Sequence, residues 1–460
     1  MADQTRKRFE AARQAPLSPQ KALPKVLLLS VQHPELVRGG AQQICYELFL
    51  GLRASGKVRP ILLAAVDPEA AALYKSGARI TGFDGREDEF LFLDAGFDHR
   101  WMRLPSADRA AAYAEFLELM QPDVVHFHHF MLFGVDFLTL TRKVLPRARI
   151  ILTLHEFLSI CAANGQMVRP TDGAVCTRPS PVRCHQCFPD RGPEFFFMRE
   201  MWVKRHFEAV DLFTTPSRFM IDQFVQWGLN PDKLVHVTNG QQDYGAGWLR
   251  PPGNGPRNRF GFFGQLVDNK GVHVILEAVQ ILRAEGFTGF TVEINGGNLR
   301  FAGKARRAEI ESFREAEEAL APAERIVRFN GAYEVERLPE LMNRIDWCLA
   351  PSVWREAFGL VISEAWMFRK PVICSQIGAM AERVADGVNG LFFALGDPRS
   401  LADVIRRACT EKGLWESIVA TIEPPPSREV MVEAFLALYA GRSGGEAQSD
   451  TEAAPVRRSA

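Results

Sequence analysis

The feature that most constrains this chain is the alternation of very short apolar runs with segments of helical periodicity. Residues 26–31, 61–66, 124–129 and 150–154 are dominated by Val, Ile, Leu and Phe. A membrane-spanning helix needs about 20 such residues, so these runs read as strands buried on both faces, as in a parallel sheet. Between them, residues 41–55 place Ile44, Leu48 and Leu52 on one helical face, and 107–120 also read as a helix. Strands are expected at 25–30, 61–66, 123–127, 150–154 and 212–215. Such alternation builds βαβ units.

Residues 239–259 interrupt the pattern with a Gly/Pro-rich stretch that reads as a linker. A second series follows: strand 259–263, helix 273–285, and strands 291–295, 326–330, 347–350 and 371–375. The expected fold is α/β, with two Rossmann-like doubly wound domains facing a central cleft. The domains are 23–240 and 259–426, joined by the linker 241–258. A C-terminal helix is expected at 427–441, and disordered tails at 1–22 and 442–460. Sheets of this kind bind ligands beyond the carboxyl ends of their strands, where helix N-termini gather.

Charge and motif content narrow the function. The 460 residues hold 55 Lys plus Arg and 55 Asp plus Glu, so bulk charge offers nucleic acid no handle. Residues 1–21 are polar and are not expected to act as a signal peptide, and the expected location is cytoplasmic. No G-x-G-x-x-G, Asp-x-Asp or His-Glu-x-x-His occurs. Gly51-x4-Gly56-Lys57 imitates a phosphate loop, but Val58 follows where Ser or Thr is required, and it reads as a helix end.

The stretch from Asp346 to Gly390 is the richest in chemistry. A strand leads into a Ser/Trp/Arg/Glu loop, and Ala357-Phe358-Gly359-Leu360 opens a helix. A helix N-terminus offers free N–H groups and a partial positive charge that favour a diphosphate. Gly359 would permit close backbone approach. Glu364 could accept both hydroxyls of a ribose, and Glu356 could reach towards a sugar. The competing reading is two surface glutamates on a capped helix.

Glu356-x7-Glu364, Pro371-Val372 and Glu382-x4-Gly387-Val388-Asn389-Gly390 together resemble the retaining glycosyltransferases of family 4, which have the GT-B fold. Phe262-Phe263-Gly264-Gln265-Leu266-x3-Lys270-Gly271 resembles that family's phosphate motif. Pro122 to His128 resembles its strand with an active-site histidine, and Gly39-Gly40 its glycine loop. Residues 211–217 and 233–240 resemble the end of its N-terminal domain, and the resemblance spans about residues 25 to 440. It implies a nucleotide-diphosphate-sugar donor and a saccharide or lipid-linked hydroxyl acceptor in polysaccharide or glycolipid assembly. Catalysis would need no metal. Lys270 would neutralise the diphosphate, whose other partners would be the N–H groups of Phe358, Gly359 and Leu360. Glu364 would hold the ribose, Glu356 the donor sugar, and His128 would lie near donor and acceptor, with His126 and His129 as substitutes. The family usually has Arg where Gln265 stands, so Arg355 is a candidate second cation, or Gln265 itself bonds phosphate as a neutral donor. A nucleotide-sugar epimerase or hydrolase on this fold, and a zinc-stapled binding protein without catalysis, are the alternatives.

Half of the eight cysteines fall close together, at Cys161, Cys176, Cys184 and Cys187. Cys184-x-x-Cys187 is a chelating spacing, and four thiolates suit a tetrahedral structural zinc; disulfides or free thiols are the other readings. Cys45, Cys348, Cys374 and Cys409 read as small buried hydrophobes. The aromatic and basic residues of 193–207 suit either a core helix or peripheral contact with the inner face of a membrane.

Overall fold

A computed structural model describes residues 23–72, 78–93, 96–242, 244 and 255–441. Both expected tails and most of the expected linker lie outside these residues. The first sheet is ordered β3-β4-β2-β1-β5-β6-β7-β8. Its strands are β1 (Lys25–Val31), β2 (Arg59–Val66), β3 (Ile80–Gly82), β4 (Glu89–Leu93), β5 (Val124–Phe127), β6 (Arg149–Thr153), β7 (Leu212–Thr215) and β8 (Leu234–His236). All pair in parallel except β3 with β4.

The second sheet is ordered β11-β10-β9-β12-β13-β14 and is wholly parallel. It comprises β9 (Arg259–Phe263), β10 (Thr291–Asn295), β11 (Val327–Gly331), β12 (Trp347–Ala350), β13 (Val372–Ser375) and β14 (Gly390–Phe393). Helices named below are α1 (Gly40–Ser55), α2 (Pro181–Cys187), α3 (Pro193–Phe207), α4 (Arg218–Gln226), α5 (Val272–Ala284), α6 (Leu360–Met367), α7 (Gly378–Arg383) and α8 (Arg428–Tyr439).

The continuous apolar runs have a simple cause. In β1, Leu27, Leu29 and Val31 enter one core while Val26 and Leu28 enter the core on the opposite face. With helices on both sides, both faces of a central strand are mainly apolar. Each fully buried Leu or Val contributes about 1.5–3 kcal/mol of transfer free energy. The false phosphate loop is a helix terminus: Gly56 is left-handed and its N–H caps Arg53 O.

α8 follows the second domain in sequence but packs on the first. Met431, Val432, Phe435 and Leu438 share a core with Val26, Leu28, Ile44, Leu48 and Ile151. A Cβ on Gly51 of α1 would lie 2.5 Å from Val432 Cγ2, so glycine permits this close helix approach. Arg428 Nε pairs with Glu47 Oε2 at 2.5 Å, and Lys57 Nζ with Glu433 Oε1 at 2.5 Å.

Candidate active site

β9 and β12 are hydrogen-bonded neighbours, so the loops leaving their carboxyl ends emerge side by side. The loop after β9 carries Gln265 and Lys270; the loop after β12 carries Glu356. Val353 N donates to Asn269 O at 3.0 Å, tying the two loops together. Gly271 has φ +73°, and a Cβ there would lie 1.9 Å from Pro351 O, so only glycine fits between them.

This packing brings two expected site residues into contact. Lys270 Nζ lies 2.6 Å from Glu356 Oε1. Ser352 Oγ (2.7 Å) and Trp354 Nε1 (2.8 Å) donate to the same oxygen. Burial would raise the Glu356 carboxyl, but Lys270 and these hydrogen bonds outweigh it and hold the group below the usual carboxylate range. Three donors on Oε1 leave Oε2 to accept from a ligand hydroxyl. Ser352 and Trp354 were not singled out in the sequence; their signal is their position four and two residues before a glutamate entering the site.

The helix after Glu356 begins at Leu360, later than the expected Ala357. Gly359 is left-handed, with φ 76°, which no helix interior accepts. Phe358 is buried, and its carbonyl and that of Gly359 accept from Arg383 Nη1 at 3.0 and 2.9 Å. The Arg383 guanidinium lies 3.8 Å from the Phe358 ring centroid, and burial lowers it to about 9. Arg383 thus braces the turn that aims the first N–H groups of α6, a role the sequence does not announce. One turn into α6, burial pushes the Glu364 carboxyl up to about 7. An incoming pair of hydroxyls would favour its ionised form.

Arg355, the expected second cation, is engaged by the first domain. Its Nη1 donates to Gln223 Oε1 at 2.7 Å and its guanidinium stacks over Phe219, both on α4 of the first domain. Gln265 lies half-buried in the loop after β9.

The first domain closes on this site. Gly39 caps α1, and a Cβ on Gly40 would lie 3.0 Å from Leu360 Cδ1 at the start of α6. Ser217 Oγ donates to Ala357 O at 2.7 Å. Glu382 on α7 accepts from Arg218 N (3.0 Å) and Phe219 N (2.7 Å), so a carboxylate of one domain caps a helix of the other.

The histidines lie at the carboxyl end of β5. His126 and His128 share one face, as alternation predicts, with rings 4.3 Å apart. His128 Nδ1 is 3.0 Å from His155 Nε2, and His128 Nε2 is buried without a hydrogen-bond partner. Burial lowers all three histidines well into the neutral form. His129 points elsewhere, its Nε2 3.3 Å from Glu156 Oε1. His155 was not singled out in the sequence; it lies two residues beyond β6, the neighbour of β5.

The four clustered cysteines are free and half-buried. Burial raises the Cys184 thiol to about 11, and Cys161, Cys176 and Cys187 are near enough to add to the effect. No group of three His, Cys, Asp or Glu side chains among the described residues is arranged to hold a metal ion. Of the other cysteines, Cys45, Cys348 and Cys374 are buried as expected, and Cys409 is half-buried. In α3, Phe196, Val203 and Phe207 are core, whereas Phe197, Met198 and Met201 are exposed. No helix among the described residues is long and apolar enough to cross a membrane.

Residues 38–241 match the family model described as Glycosyltransferase Family 4, and residues 257–411 that of Glycosyl transferases group 1. A glycogen synthase from Mycobacterium tuberculosis is 29% identical over 214 residues, 45% of this chain and 47% of that protein. A D-inositol 3-phosphate glycosyltransferase from Corynebacterium urealyticum is 33% identical over 146 residues, 32% of this chain and 33% of that protein. The chain thus spans half or less of the length of these curated relatives. Anabaena HepE, solved in complex with UDP and glucose, superimposes with a TM-score of 0.61 at 16% identity, covering 90% of this chain and 99% of that one.

Proposed function

The chain belongs to the family 4 glycosyltransferases, of GT-B fold, and from that premise we propose that it transfers a sugar from a nucleotide diphosphate to a hydroxyl acceptor with retention of configuration. The observation that carries this reading is the Lys270–Glu356 pair, set beside the first turn of α6 with Glu364 one turn further in. Glu364 takes the ribose hydroxyls. Lys270 and the N–H groups at the start of α6 take the diphosphate. Glu356 Oε2 takes a donor-sugar hydroxyl.

In the proposed step, the acceptor oxygen bonds to the anomeric carbon on the face from which the diphosphate leaves. The carbon–phosphate oxygen bond breaks, and the acceptor proton passes to the departing phosphate. The protein's share is positioning and stabilisation of leaving-group charge. We assign the unpartnered, buried Nε2 of His128 to a donor or acceptor hydroxyl that reaches it when ligand enters.

Two further proposals concern the insertion after β6. The spacing of Cys184 and Cys187, with Cys161 and Cys176 in the same segment, supports a structural zinc, although the four side chains are not arranged to hold a metal in this structure. Metal analysis near one zinc per chain supports this, and a value far below one removes it. The exposed Phe197, Met198 and Met201, flanked by Arg205, contact an anionic membrane surface; flotation with anionic liposomes at low salt tests this.

A thermal-shift panel of nucleoside diphosphates and nucleotide sugars tests the main reading. A specific shift with one nucleotide supports it, and no shift with any of them overturns it.

A further inference from the structure

α8 does more than complete a core. Its last turn presents Tyr439, whose hydroxyl lies 2.8 Å from His126 Nδ1. The other ring nitrogen of His126, Nε2, lies 2.7 Å from Thr153 Oγ1, which is itself 2.6 Å from Thr214 Oγ1. A buried imidazole bonded at both nitrogens can neither rotate nor slide without losing a hydrogen bond in a dry environment.

His128 sits directly on this ring. Its centroid is 4.3 Å from that of His126 and 5.2 Å from that of His155. Phe435, one turn before Tyr439, contacts both His126 (4.9 Å) and His128 (6.3 Å). The ring carrying the unpartnered buried Nε2 is therefore wedged between two others, and one of those is fixed by α8.

The geometry points to Tyr439 as a positioning residue for the active-site histidine: its hydroxyl fixes the plane of the His126 ring, and His126 fixes the ring of His128. This rests on the reading of His128 as part of the active site. Filling space alone does not require the hydroxyl, because phenylalanine would pack against Phe435 equally well. The hydroxyl of the half-buried Tyr439 finds its partner in the fully buried His126 ring. Tyr439 and Thr153 together hold the plane of the His126 ring, whichever nitrogen carries the proton.

The test is Tyr439→Phe in the full chain, followed by histidine side-chain 15N shifts and by steady-state kinetics. The expected result is movement of both the His126 and His128 signals, with His236, bonded to Pro216 O, as the unmoved control. Turnover should fall about tenfold with the donor KM within twofold, as expected when orientation rather than binding is lost. Unchanged His128 shifts together with turnover within twofold would overturn the proposal. Val432→Ala loosens the same helix without touching the hydroxyl. An equal loss of turnover in that variant would reduce Tyr439 to a packing residue and also overturn it. The NMR comparison needs no donor, so it stands even where no nucleotide sugar binds; that failure would strike the glycosyltransferase reading alone.

Discussion

Lys270 and Glu356 neutralise each other in the ligand-free site, and a donor diphosphate competes for the ammonium. Lys270→Ala removes the charge that offsets the leaving group, and it also strands a buried carboxylate. Turnover should fall by at least two orders of magnitude, measured by nucleotide release with the true donor. Glu356→Gln should lose a similar factor while keeping the fold. Wild-type rates in both variants would remove the site assignment. Glu364 permits a test of sign. Its folded value, about 7, is above the ordinary carboxylate value. Its proton therefore favours the folded state most at low pH, and that contribution is lost as pH rises through about 7. Ribose binding uses the ionised form, so nucleotide affinity should rise from pH 6 to 8. In Glu364→Gln, affinity should be weak and flat over that range, while the melting temperature at pH 8 should exceed the wild type's. Titration calorimetry and thermal melts read the two effects separately.

Among the elements, the strands were the most legible part, because burial on both faces writes strand position as an uninterrupted apolar run. β7, β9, β10 and β12 fall on their expected residues. The edge strand β3 and its neighbour β4 escaped notice for physical reasons, as did the edge strands β8 and β14. β3 has three residues, and β4 opens with a buried charge, Glu89, that His33 and Arg86 satisfy from outside the strand. The site followed the same division. Lys270, Glu356 and Glu364 are announced by motifs that resemble the family's, whereas Arg383 and His155 acquire their roles only through contacts made by the fold. The start of α6 was misplaced because periodicity cannot reveal that Gly359 is left-handed. The loop glycine before α5 offers a direct test. Gly271→Ala would meet Pro351 O and hold a strained φ, so it should separate Lys270 from Glu356. A loss of donor affinity of at least tenfold is expected, with far-UV circular dichroism unchanged.

At the scale of the whole molecule, the described contacts between the two domains combine polar bonds with local apolar packing of Ala357 and Leu360, which suits a cleft that must admit and release ligand. Glu382→Ala removes the carboxylate that one domain lends to α4 of the other. The donor KM should rise severalfold with the melting temperature within a few degrees, because the cap is at the surface. A bound nucleotide should act in the opposite sense: at 100 times its Kd it stabilises the native chain by about 2.7 kcal/mol.

The return of α8 to the first domain also bears on how the protein is made. The core around β1 includes Met431, Val432, Phe435 and Leu438, so that domain stays unfinished while the whole second domain is synthesised. At about 5–20 residues per second, the wait between β8 and α8 is roughly 10–40 s. During that interval the face of β1, α1 and β5 destined for α8 is bare apolar surface on the ribosome. Stalled or truncated products of a chain of this design should therefore aggregate rather than persist as folded half-molecules.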